Sequence, residues 1–230
     1  MVRDVPVGHP DFGKSFPCRC VKEKMQKGRP DRLQRYSNLG PLTRLTFESL
    51  LVQGRSGDPE NQARFARAVA AAKAFARDPQ GWLVFLGPSG CGKTHLAAAI
   101  ANERLAQGHP AFFKLVADLL DHLRSTFSPG SDVSYDQLFE TVKTAPFLIL
   151  DDLGPQGSTP WAREKLFQIL DHRFHARLPT VVTTRASLDE LDEWVRTRLT
   201  DPSLSQVLAL EARESPLAQS TGILETELLR

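Results

Sequence analysis

A chain of 230 residues with 41% apolar residues can form one domain with a proper core, or one domain and an appendage. A formal charge of +2, from 29 basic and 27 acidic residues, excludes a molecule drawn to nucleic acid by bulk charge alone. Three cysteines exclude a disulfide-stapled scaffold, and no apolar run approaches the roughly 18–20 residues of a membrane span, so a soluble cytoplasmic protein with no membrane contact is expected.

Residues 1–45 read as a basic N-terminal segment. Residues 1–44 hold ten Lys/Arg against four Asp/Glu, and apolar periodicity is weak. Cys18 and Cys20, with His9, supply half of a zinc site or two reduced thiols in an arm. A second cysteine pair is missing, so a closed four-ligand site cannot be built from this segment alone. The domain proper is expected over 46–213, with a tail over 214–230.

Within that domain, Arg55–Pro59 is a turn cluster and Asn61–Arg77 an amphipathic helix carrying Phe65, Val69, Ala72 and Phe75. Gly81–Leu86 is a buried strand, and Thr94–Leu105 a helix ending near Gly108. Ala111–Val116 is a second strand, followed by helices over 117–127 and 135–144. Phe147–Leu150 has the apolar character of a central parallel strand. Pro160–Ala176 is a helix, Thr180–Thr184 a strand, and Gln206–Leu210 a last short strand. Ser187-Leu-Asp-Glu190 has capping-box spacing and is expected to open a helix. Alternating strands and helices predict an α/β domain on a parallel sheet.

Between the first strand and its helix stands Gly87-Pro88-Ser89-Gly90-Cys91-Gly92-Lys93-Thr94, which fits the phosphate-loop pattern G-x-x-x-x-G-K-[ST]. Glycines let backbone N–H groups turn toward phosphate oxygens, and the helix start adds the positive end of its dipole. Lys93 would reach the β- and γ-phosphates, Thr94 would offer its hydroxyl to Mg²⁺, and Cys91 reads as a filler rather than a nucleophile. The second element is Phe147-Leu-Ile-Leu-Asp151-Asp152, an apolar strand ending in two carboxylates. At the carboxyl end of a parallel strand, these would lie beside the loop. Asp151 would hold Mg²⁺ through water, and Asp152 would orient or activate the attacking water. At the end of the 180–184 strand, Thr184 and Arg185 are candidates to contact the γ-phosphate or the water. Arg196 and Arg198, two residues apart, would point to different faces of a helix.

Together these motifs resemble the AAA+ ATPases of the DnaC/DnaI helicase-loader and IstB-like type. The resemblance rests on Gly87–Thr94, Leu-Asp-Asp-Leu-Gly at 150–154, Val-Val-Thr-Thr at 181–184 and Arg-Thr-Arg-Leu at 196–199. It implies a three-layer P-loop NTPase fold with a central parallel sheet and a short or absent C-terminal lid. It also implies ATP and Mg²⁺ as ligands, ATP hydrolysis, single-stranded DNA and a replicative helicase or transposase as partners, and self-association. By the same resemblance Arg198 is an arginine finger acting in trans, and Arg213 lies near the nucleotide or the next subunit. The family's strand usually ends in a sensor asparagine, where this chain has Arg185. Either Thr184 takes that role, or Arg185 contacts the γ-phosphate, or the coupling of hydrolysis to conformation is altered. A small-molecule kinase would need a lid and an acceptor pocket, neither of which is visible. A non-hydrolysing nucleotide switch is the alternative of another class.

Overall fold

The computed structural model describes residues 37, 39–51, 56–126, 135–154 and 159–211. His9, Cys18, Cys20, Arg213, the tail and any lid lie outside these residues. A 3-10 turn over Gly40–Arg44 leads into the main body. Then come α1 (Pro59–Arg77), β1 (Trp82–Leu86), α2 (Lys93–Ala106), β2 (Phe112–Leu115), α3 (Val116–Ser125) and α4 (Tyr135–Lys143). They are followed by β3 (Leu148–Asp151), α5 (Pro160–His175), β4 (Thr180–Thr184), α6 (Glu193–Leu199) and β5 (Ser205–Ala209).

Helix starts follow their local chemistry. α1 begins two residues earlier than the periodicity predicts, because the Asp58 carboxylate accepts from the amides of Glu60 and Asn61 and Pro59 fits the first turn. Thr159 and Pro160 open α5 in the same way. The capping box at Ser187 and Glu190 does form, but it closes a single 3-10 turn over Leu188–Glu190. The helix expected there starts later, at Glu193.

All five strands are parallel, in the order β2-β3-β4-β1-β5. Side chains alternate across the sheet and fill two cores. Leu83, Phe85, Phe113, Phe147, Ile149 and Val181 face α1 and α2. Trp82, Val84, Leu148, Leu150 and Val182 face α3 to α6. The result is a three-layer α/β/α sandwich. The first core also takes in Leu39, Phe47 and Leu50. Asn102 of α2 fastens this segment by donating to the carbonyls of Leu42 and Leu45 at 3.1 and 2.8 Å.

Arg173 is a fully buried cation at the opposite end of the sheet from the loop. It donates to the carbonyls of Lys143, Ala145 and Pro179 and to the Thr180 hydroxyl. These bonds join the approaches to β3 and β4. Burial pulls its pKa below the ordinary arginine value, and the four acceptors offset that cost.

Candidate nucleotide-binding site

At the carboxyl ends of the strands, β1 turns through the glycine loop into α2. Gly87, Gly90 and Gly92 all have positive φ, at 145, 81 and 101°. Space restricts two of them further. A Cβ on Gly87 would lie 2.1 Å from the Leu210 carbonyl oxygen, and one on Gly92 would lie 2.9 Å from the Phe65 ring. The loop is therefore braced by α1 on one side and the end of β5 on the other. Lys93 is buried, and its ammonium donates to the carbonyls of Gly87 and Pro88 at 2.6 and 2.7 Å. Cys91 is buried behind the loop, its sulfur 3.5 Å from the same nitrogen, in keeping with a packing role.

The two motifs meet as expected. The Thr94 hydroxyl lies 3.1 and 3.0 Å from the two carboxylate oxygens of Asp151. Thr183 supplies a third member. Its hydroxyl donates to Asp151 Oδ1 at 2.6 Å and accepts from the Asp152 amide at 2.9 Å. Burial holds the Asp151 carboxyl above the usual carboxylate range, and the neighbouring Asp152 adds to this. The hydroxyls of Thr183 and Thr94 and the Lys93 charge oppose it. A buried carboxylate beside a threonine hydroxyl and a lysine, below a glycine loop, is a donor set that fits Mg²⁺ with a polyphosphate. Among the described residues there is no group of three or more His, Cys, Asp or Glu that could hold another metal.

Asp152 follows the strand in the left-handed region, with φ of 57°. Its side chain is 35% exposed. Arg185 Nε lies 3.7 Å from Asp152 Oδ1. Thr184 is placed differently from the expectation. It is fully buried, and its hydroxyl accepts from the Ala186 amide. Of the two adjacent threonines, Thr183 is the one that reaches the carboxylates. The signal for it was present in the register: Leu150 pairs with Val182, so Asp151 stands beside Thr183.

The arginines of α6 do face different ways. Arg196 pairs with the exposed Asp189. Arg198 is the more enclosed of the two, at 18% side-chain exposure against 41%. It pairs with Asp171, donates to the Trp194 carbonyl and lies over the rings of Phe167 and Phe174. A contact that the sequence did not reveal ties the segment before α1 to the site. His95, next to Thr94, places Nε2 3.0 Å from the Thr46 carbonyl and 3.2 Å from the Ser49 hydroxyl.

Comparison with known proteins gives this geometry a family. The sequence model of the family described as IstB-like ATP binding protein matches residues 42–210. The chain belongs to this family. The chain is similar to the replicative helicase loader DnaC of Escherichia coli (strain K12), with 32% identity over 118 residues, covering 51% of this chain and 48% of the relative. It is also similar to the replicative helicase loader DnaI of Bacillus subtilis (strain 168), with 32% identity over 136 residues, covering 58% and 43%. The chain thus matches about half the length of these curated relatives. Among solved structures, the DnaC helicase loader superposes with a TM-score of 0.61 at 24% identity, covering 74% of this chain and 98% of that one. Domain III of the Thermotoga maritima replication initiation protein DnaA gives 0.59 at 21% identity, covering 80% and 74%. These superpositions establish the AAA+ P-loop fold of this IstB-like protein. Among its described residues, no helix is long and apolar enough to cross a membrane.

Proposed function

We propose that this IstB-like protein binds and hydrolyses ATP, and that it uses the cycle to place a replicative helicase on single-stranded DNA. The observation that carries the ATPase reading is the joined arrangement of Lys93, Thr94, Asp151 and Thr183 under the glycine loop. Lys93 and the loop amides would hold the phosphates, and Thr94 and Asp151 the Mg²⁺. A bound Mg²⁺ neutralises phosphate charge and supplies a Lewis acid. Asp152, at 35% side-chain exposure, would accept a proton from an attacking water. Arg213, from the resemblance, would contact the nucleotide or the next subunit.

The loader reading draws on the two curated relatives, both named as replicative helicase loaders. The test is Mg²⁺-dependent ATP hydrolysis by the full chain, together with co-purification of the host's replicative helicase. Loss of phosphate release in Lys93→Ala and Asp152→Ala is expected, with ATP binding kept in the second. Unchanged turnover in Asp152→Ala would sink the catalytic role. The resemblance to IstB-like transposition helpers motivates a second reading, an ATPase that assists transposition. Binding to duplex DNA and a transposase, with no affinity for helicase, would select it.

Arg198 would act as the finger of a neighbouring subunit, which requires it to leave Asp171. Mixing Arg198→Ala with Lys93→Ala subunits should then restore part of the ATPase activity, because a neighbour supplies what each lacks. No recovery at any mixing ratio counts against it.

A further inference from the structure

The phosphate loop has no slack on either side. The Phe65 ring of α1 would meet a Cβ on Gly92 at 2.9 Å, and the Leu210 carbonyl oxygen would meet one on Gly87 at 2.1 Å. Leu210 is buried, and its amide donates to the Leu86 carbonyl at 2.8 Å, so the exit of β5 is tied to the strand that feeds the loop. Phe65 packs against the first core. A shift of either wall therefore changes the shape of the loop between them.

The residues beside the two walls are joined by charge. Arg64, next to Phe65, donates to the carboxylate of Glu211, next to Leu210, at 2.9 Å. The same guanidinium donates to Glu60, one turn earlier on α1, at 2.5 Å. Glu60 steadies the arginine on its own helix, whereas Glu211 is the partner across the gap. Among the described residues, Arg64–Glu211 is the only ion pair between α1 and the chain of β5 and its exit. Side-chain exposures of 36% and 48% make it a small contributor to global stability. Its leverage is local, because it spans the two walls of a loop with no spare room.

We propose that Arg64 and Glu211 form a clasp that holds the phosphate loop in its binding shape and slows the release of bound nucleotide. The inference rests on the ATP-binding reading above. Both are positioning residues, acting through Phe65 and Leu210. With the clasp closed, the loop amides stay convergent on the phosphates, a preorganised site. With it open, the walls part, the loop relaxes and the nucleotide leaves sooner. Both charges are partly exposed, so salt loosens the clasp.

The test is stopped-flow displacement of a fluorescent Mg²⁺–ADP analogue from the full chain and its variants, with melting temperature measured alongside. Arg64→Gln and Glu211→Gln should each speed release about two- to fivefold, the range for one exposed ion pair, with the melting temperature nearly unchanged. Glu60→Gln should leave release as in the wild type. In that Glu60→Gln background, the exchange Arg64→Glu/Glu211→Arg should bring release back toward the wild-type rate. Added salt should speed release more in the wild type than in Arg64→Gln, which has no clasp left to screen. Equal acceleration by Glu60→Gln, no recovery in the exchanged pair, or a rise in release that only tracks a fall in melting temperature overturns the clasp. A wild-type chain that binds no nucleotide refutes the ATP-binding reading itself. Wild-type binding with release unaltered in both Arg64→Gln and Glu211→Gln refutes only the clasp.

Discussion

Thr183→Val removes one hydroxyl and replaces it with a methyl of similar size, so no cavity opens. Two hydrogen bonds go with it. One is the 2.6 Å donation to the buried Asp151 carboxylate, and the other is the 2.9 Å acceptance from the Asp152 amide. A bond to a charged group contributes about 1.5–3 kcal/mol, and a neutral one about 0.5–1.5. The second bond is only part-buried, so water recovers some of it. The expected loss is about 2–3 kcal/mol, or about 4–12 °C in melting temperature for a domain of this size. Urea denaturation should show it as a lower midpoint with an unchanged slope. Thr183→Ser keeps the hydroxyl and should lose less. A valine variant within about 0.5 kcal/mol of wild type, or a serine variant equally damaged, would refute the role given to this hydroxyl.

Arg173→Met should cost about 2–4 kcal/mol, because a methionine fills the space but removes the donors to the buried Ala145 carbonyl and the half-buried carbonyls of Lys143 and Pro179, of which Pro179 keeps the Leu148 amide. Lysine should rescue it only in part, since one ammonium cannot span the same acceptors; full rescue in a denaturation midpoint would contradict the account. Asp151 gives a pH dependence. Its native pKa lies above the ordinary 3.8, so the stability linked to it is complete below that value and is lost as pH rises through the native pKa. Asp151→Asn should therefore be more stable than wild type at neutral pH, with the advantage fading in acid, while losing Mg²⁺-dependent nucleotide binding. A pH-independent difference in melting temperature would argue against burial as the cause.

The glycine loop, the apolar strand ending in Asp151-Asp152 and the alternation of strands and helices could all be read from the sequence, because each is local. Short runs bounded by turns declared β1, β3 and β4, and Pro160 marked a helix start, whereas Pro59 read as the end of a turn and proved to open α1. What escaped was set by pairing across the sheet. Which of two adjacent threonines faces the carboxylates depends on the β3–β4 register, which no single strand encodes. Likewise, the spacing of Arg196 and Arg198 separates their faces but does not say which one meets Asp171. Ser187 and Glu190 form their reciprocal bonds. Yet the chain turns again before Asp192, so a correct cap closes only one turn. The tie of His95 to Thr46 and Ser49 joins segments far apart in sequence, and no local pattern signals it.

The strand order also governs how the chain comes off the ribosome. β1 is flanked by β4 and β5, with Trp82 paired to both Thr180 and Ser205. The strand that leads into the phosphate loop is therefore made long before either of its neighbours. At about 5–20 residues per second, its apolar Trp-Leu-Val-Phe-Leu edge waits on the order of ten seconds for a partner. Closing contacts so distant in sequence is slow, and unpaired apolar strands invite association in the meantime. The nascent chain is accordingly most vulnerable between the emergence of β1 and that of β4. Slowing synthesis across that interval should lower the soluble yield, whereas slowing it after β5 should not.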